Sequence, residues 1–135
     1  MLHLFDNSGD KTFNYTFYGN TYCVILFFDL TEPTSFESVE NWREDFLNAI
    51  NPKYPESFPF ILIGNKCDEV NNRKVPYEKI NEYCKSKSIS AYFETSAKDN
   101  PNIIEVFDET AKLGYKRYLK LLDDFIFSPN EEKNK

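Results

Sequence analysis

An α/β fold built on a largely parallel sheet is predicted by three observations. Short apolar runs alternate with segments of helical period, turn residues separate them, and two of the runs end in polar loops. Leu2-His3-Leu4-Phe5 reads as the end of a strand, and Asp6-Asn7-Ser8-Gly9 as the turn after it. His3 is expected in or beside that strand, without a ligand role. Cys23-Val24-Ile25-Leu26-Phe27-Phe28 is a continuous apolar run, the pattern of a strand covered on both faces. Pro33 and Thr34 open a helix in which Phe36, Val39, Trp42, Phe46, Leu47 and Ile50 recur at helical spacing. Thr34 with Glu37 has the form of a capping box, and Pro52 marks the end. Phe60-Ile61-Leu62-Ile63-Gly64 is the next strand, and Pro76 starts a shorter helix carrying Ile80, Tyr83 and Cys84. Ala91-Tyr92-Phe93 is the last strand. Asn102 with Glu105 is expected to cap a final helix reaching Tyr118 or Leu122, its apolar face made by Ile103, Val106, Phe107, Ala111 and Tyr118. The polar stretch from Ser128 to Lys135 reads as a disordered tail. No internal repeat is visible.

Composition narrows the function classes. A chain of 135 residues suffices for one domain with one core. Its 41% hydrophobic and 17% aromatic content favours a folded protein over a disordered one. No run approaches the roughly 18 apolar residues of a membrane span, and no charged n-region precedes an apolar h-region at the start. Cys23, Cys67 and Cys84 have neither metal-type spacing nor an even count, so reduced cytoplasmic thiols are expected. A net charge of −6 argues against a general nucleic-acid or anionic-membrane surface. It leaves room for a local pocket that holds a single nucleotide.

The chemistry sits in the loops. Asn65-Lys66-Cys67-Asp68 directly follows the apolar run ending at Gly64. An Asn side chain offers a donor and an acceptor, a Lys stem can lie along a purine face, and an Asp carboxylate accepts two parallel hydrogen bonds. Guanine presents two adjacent N–H donors where adenine does not, so a fixed carboxylate discriminates strongly between them. Taken alone, the four residues also describe an ordinary polar turn. A second loop, Glu94-Thr95-Ser96-Ala97-Lys98, follows the last strand. Two strand ends separated by one helix-length segment belong on the same edge of a parallel sheet, where open α/β folds bind ligands.

With both loops in this order and spacing, the chain resembles the G domain of the small GTPases. The resemblance implies a Ras-like, P-loop NTPase-like α/β fold, mostly parallel with flanking helices, lacking the first two strands and first helix. It would occupy residues 1–122, followed by a C-terminal extension over residues 123–135. By the same resemblance Asn65 and Asp68 hold the base and Lys66 stacks on it. The Ala97 backbone N–H meets the guanine oxygen, while Ser96 and Lys98 shape the pocket. Asp6-Asn7-Ser8-Gly9 matches the family's Asp-x-x-Gly. Asp6 would approach a magnesium ion through water, and the Gly9 backbone would contact the γ-phosphate of GTP, where a side chain would obstruct it. GTP or GDP and Mg2+ are thus the implied cofactors.

Two departures matter. The family places Gln after this Gly to orient the attacking water; here Asp10 stands in the catalytic position, shorter and negatively charged. Slow hydrolysis is the expectation. Further, no Gly-x-x-x-x-Gly-Lys-Ser/Thr run occurs; Gly9-Asp10-Lys11-Thr12 and Gly64-Asn65-Lys66-Cys67 only echo its end. The switch segment with a magnesium-binding Thr is missing too. Each lost charged hydrogen bond costs roughly 1.5–3 kcal/mol, so nucleotide affinity should fall by orders of magnitude. The chain is then a fragment, an incomplete gene model or a degenerate relative.

Ser35 to Trp42 looks like the Rab helix, and Trp42 to Leu47, Pro55 to Phe60 and Tyr92 to Lys98 resemble the late-endosomal Rab branch. The implied setting is vesicle traffic, cytoplasmic or peripheral to endosomal or vacuolar membranes, with Rab effectors and regulators as partners. Phe13, Tyr15, Phe17 and Tyr18 read equally as an effector surface or as packing beneath the loop. Rabs usually end in prenylated cysteines, but the last cysteine here is Cys84, so no prenyl anchor is available to the sequence as written. A guanine-nucleotide switch is the leading reading. A non-catalytic interaction fragment is the alternative, and a flavodoxin-like or receiver-type domain explains neither motif.

Overall fold

The computed structural model describes residues 19–99 and 102–127. Expectations for the strand at Leu2 to Phe5, for His3, Asp6, Gly9, Asp10 and the aromatic residues from Phe13 to Tyr18, and for the tail from Ser128 lie outside the described residues.

Among the described residues, three parallel strands lie in chain order: β1 (Val24–Asp29), β2 (Phe60–Asn65) and β3 (Ala91–Glu94). Register runs from Val24 opposite Phe60 to Asp29 opposite Asn65, and from Ile61 opposite Ala91 to Gly64 opposite Glu94. The central strand reads as an unbroken apolar run because both of its faces are covered, leaving Phe60 to Gly64 buried. Helices α1 (Pro33–Ile50) and α2 (Tyr77–Ser86) make the two crossovers, and α3 (Ile103–Phe127) follows β3. Phe28, Leu26 and Leu62 face Phe36, Val39, Phe46 and Ile80 on one side of the sheet. Ile61 and Ile63 meet Val106 on the other. Phe46, Phe58 and Phe60 form an aromatic triangle with ring centroids 5.1, 5.2 and 6.0 Å apart.

Four expectations are corrected. The capping box at Thr34 and Glu37 does not form, because Pro33, with φ preset for a first helical position, moves the start forward to Glu32. The Ser35 hydroxyl closes this end instead, donating to the Glu32 carbonyl at 2.7 Å and accepting the Asp29 N–H at 2.8 Å. Asn102 adopts a left-handed φ of 62°, and its side-chain amide donates to the Glu94 carbonyl at 3.0 Å. It therefore ties the helix start to β3 rather than acting as a side-chain acceptor. The apolar face assigned to the final helix is also displaced. Val106, Thr110 and Arg117 form the buried stripe of α3, while Ile103, Phe107 and Tyr118 are exposed, and the helix continues to Phe127. Likewise β1 is not covered on both faces throughout, since Phe27 is 62% exposed.

Candidate functional site

The polar loops after β2 and β3 meet at the carboxyl edge of the sheet, as the parallel topology requires. Backbone bonds lace them: Thr95 N–H donates to the Gly64 carbonyl at 2.9 Å, and Cys67 N–H to the Thr95 carbonyl at 3.1 Å. Lys66 turns the chain with a left-handed φ of 65°. Above this lacing, the Thr95 hydroxyl donates to Asn65 Oδ1 at 3.3 Å, and the Ser96 hydroxyl to Asp68 Oδ1 at 2.7 Å. The buried Ser96 Oγ in turn accepts the backbone N–H groups of Lys98 and Asp99 at 3.1 and 3.3 Å. One hydroxyl thus fixes both the second loop's turn and the first loop's carboxylate. Asp68 itself stays exposed, so the carboxylate is oriented and reachable.

Below the loops sits a charged brace. Arg73 grips Glu94 through two bonds, Nη1 to Oε1 at 2.7 Å and Nη2 to Oε2 at 2.9 Å, while its Nε donates to the Val75 carbonyl at 3.2 Å. Tyr92 adds its hydroxyl to Glu94 Oε2 at 2.7 Å. Burial would raise the Glu94 pKa, but the Arg73 and Tyr92 hydrogen bonds outweigh it and hold the carboxyl below its ordinary value. The Tyr92 phenol is pushed up by burial and by that carboxylate. A backbone close approach completes the support: a Cβ on Gly64 would lie 2.7 Å from Tyr92 Oη and 3.0 Å from Leu30 Cδ2.

Lys66 is engaged elsewhere than with the other loop residues. Its Nζ lies 2.7 Å from Asp29 Oδ2, at the end of β1. Thr31 donates its N–H and hydroxyl to the other oxygen at 2.8 and 2.6 Å. Burial opposes ionisation of Asp29, yet bonds from Lys66 and Thr31 prevail and lower its pKa; that of Lys66 is raised by the same hydrogen bond.

Of the residues singled out from sequence, Asn65, Asp68 and Ser96 come together, Lys66 joins them through Asp29, and Ala97 and Lys98 lie exposed on the turn that Ser96 holds. Asp6, Gly9 and Asp10 lie outside the described residues. Asp29, Arg73 and Thr95 had not been assigned roles; Asp29 was signalled by being a carboxylate at a third strand end. No cluster of three potential metal ligands occurs among the described residues. A cavity of about 470 Å³ flanks the brace, lined by Arg73, Tyr77 and Glu94 but not by Asn65 or Asp68. Among the described residues Lys66, Asp68, Ala97 and Lys98 are exposed, so the loop pair presents an open ledge.

Among known proteins, the Ras family matches residues 1–116. The chain is 41% identical over 131 residues to the Ras-related protein Rab-7a of Paramecium octaurelia, covering 95% of this chain and 62% of that protein. It is 40% identical over 116 residues to the Ypt/Rab-type GTPase ypt7 of Schizosaccharomyces pombe, covering 83% and 57%. It is 34% identical over 129 residues to the Ras-related protein Rab7 of Drosophila melanogaster, covering 92% and 62%. The chain spans about three-fifths of the length of these curated relatives. The chain belongs to the Ras family, as a Rab7-type member of its Rab branch.

Proposed function

We propose that the chain carries the base-reading half of a guanine-nucleotide switch of the Rab type, acting in vesicle traffic peripherally at endosomal or vacuolar membranes. The observation that carries this reading is the Asp68 carboxylate, oriented by the Ser96 hydroxyl at 2.7 Å on the carboxyl edge of a parallel sheet. A carboxylate held in that way can accept the paired N–H donors of guanine without first losing conformational freedom. Asn65, held by Thr95, supplies a second polar contact, Lys66 the stacking stem, and the Ala97 N–H and Lys98 the far wall. The residues fit the base. Asp6 and Gly9 are the proposed contacts to the magnesium water shell and γ-phosphate, and Asp10 a weak substitute for a water-orienting Gln.

Affinity is expected to be low, because the 135 residues hold no phosphate-cradling Gly-x-x-x-x-Gly-Lys-Ser/Thr run. That absence favours a second reading, an interaction fragment that contacts effectors without holding nucleotide. Titration with labelled GDP and GTP, with and without magnesium, separates the two. Saturable, guanine-specific binding that Asp68→Asn weakens by at least about tenfold supports the base site. No binding at millimolar nucleotide leaves the interaction fragment.

A further inference from the structure

At the amino edge of the sheet, opposite the Asn65 loop, a cavity of about 160 Å³ opens between the residues before β1, the turn after α1 and the inner face of α3. Asn20, Thr21, Tyr22, Asn51, Lys53 and Arg117 line it. Arg117 is only 7% exposed. Its Nη2 donates to the Lys53 carbonyl at 2.7 Å, and its guanidinium lies 4.6 Å from the Phe58 ring centroid. Its Nε is buried with no hydrogen-bond partner, and among the described residues no carboxylate lies within ion-pair distance of it. A guanidinium has five N–H donors, and burying one without an anion is costly. Burial accordingly lowers its pKa, opposed only by Tyr22.

The surroundings add positive charge. Lys53 stands at the mouth, and Lys120 lies with its Nζ 4.1 Å from the Tyr54 ring centroid. Asp124, whose Oδ2 is buried without a hydrogen bond, faces Lys53 Nζ at 3.8 Å rather than Arg117. This cationic end belongs to a chain of net charge −6. The cavity is smaller than the roughly 300–1,000 Å³ of pockets for drug-sized ligands, and matches a single oxyanion group rather than a nucleotide. We infer that this cavity binds a phosphate group, with the planar Arg117 fork as its principal contact and Lys53 as the charge at its mouth. The group can be free phosphate or the phosphomonoester of a lipid headgroup.

The test uses the whole chain at fixed ionic strength, adjusted with sodium chloride. Inorganic phosphate is titrated while amide and arginine Nε–H signals are followed by NMR. Saturable shifts at Asn20, Lys53 and Arg117 are expected in the wild type, at least about tenfold weaker in R117Q. R117K retains the charge but not the fork, and K53Q leaves Arg117 in place; each should bind more weakly than the wild type. These two variants carry the test if R117Q does not fold. Identical responses in wild type and all three variants, or shifts that never saturate, overturn the site and leave Arg117 a strap between α3 and the Lys53 turn. Vesicles with a phosphoinositide, compared with equally charged vesicles lacking it, identify the source. Arg117-dependent capture assigns the headgroup, and phosphate binding without capture assigns the free ion. The absence of both responses overturns the inference.

Discussion

Gly64 shows what a single residue contributes to the ledge. It lies in β2 with no need for an unusual φ, so its reason is space: an added Cβ would meet Tyr92 Oη at 2.7 Å, Leu30 Cδ2 at 3.0 Å and Phe28 Cζ at 3.1 Å. The Tyr92 ring is half-buried and its hydroxyl is fixed on Glu94, so it cannot simply rotate away. Gly64→Ala should therefore cost about 1–3 kcal/mol, the usual range for overpacking. Urea denaturation should show a lower midpoint at unchanged slope. Tyr92→Phe removes the closest atom, so the double variant should be more stable than the two separate losses add up to. A strictly additive result would place the strain at Leu30 and Phe28 instead. The sequence exposed Gly64 only as the last letter of an apolar run; its contact with Tyr92 depends on strand register across β2 and β3, which no local pattern encodes.

The three described strands were legible to within a residue and the helices by position, because burial on both faces writes an apolar run and an amphipathic helix writes its period, while α3 runs five residues past Leu122. Their ends were less so. Thr34 and Glu37 satisfied a capping pattern, yet Pro33 and Ser35 decided the start of α1, and Asn102 used its amide on β3. At the other end of α1 the rule held: Asn51 takes φ 48° and donates its N–H to Leu47 at 2.9 Å, just before Pro52. Asn51→Ala should lose about 1 kcal/mol and Asn51→Gly essentially nothing, measured by thermal unfolding. The brace between Arg73 and Glu94 joins the turn before α2 to the end of β3. Glu94 has a folded pKa below its unfolded one, so its contribution is present above about pH 4.3 and is lost as pH falls through the folded value. Asp29 and Glu40 titrate in the same direction, so wild-type acid unfolding alone does not isolate Glu94. The stability gap between wild type and Glu94→Gln does: it should be greatest near neutrality and narrow below pH 4.3. A gap independent of pH would assign the brace to Arg73 and the Val75 carbonyl.

Across the whole molecule, the two faces of the sheet are unequal. The side holding α1 and α2 has a continuous core, while the side holding α3 has Ile61, Ile63 and Val106 as its buried centre. Phe27, on the β1 face that bears this smaller core, is 62% exposed, while Ile104 at 70% and Tyr115 at 63% lie on the outer face of α3, opposite its buried stripe. Sequence periodicity did not reveal this, since α3 carries apolar residues nearly all round and its buried stripe includes Thr110 and Arg117. Which face turns inward was decided by the sheet, not by hydropathy. Exposed apolar surface of this extent drives association, whereas the net charge of −6 opposes it over the Debye length. Self-association that strengthens with added salt is the expected result, since screening removes the repulsion and leaves the apolar attraction. Phe27→Glu should weaken it, measured by sedimentation across a concentration series, while changing monomer stability by no more than about 0.5 kcal/mol, because the ring is already largely in water. If Phe27→Glu instead unfolds the chain, Phe27 supports the fold. If association persists unchanged, the contact lies on α3, where Ile104→Lys and Tyr115→Lys should abolish it.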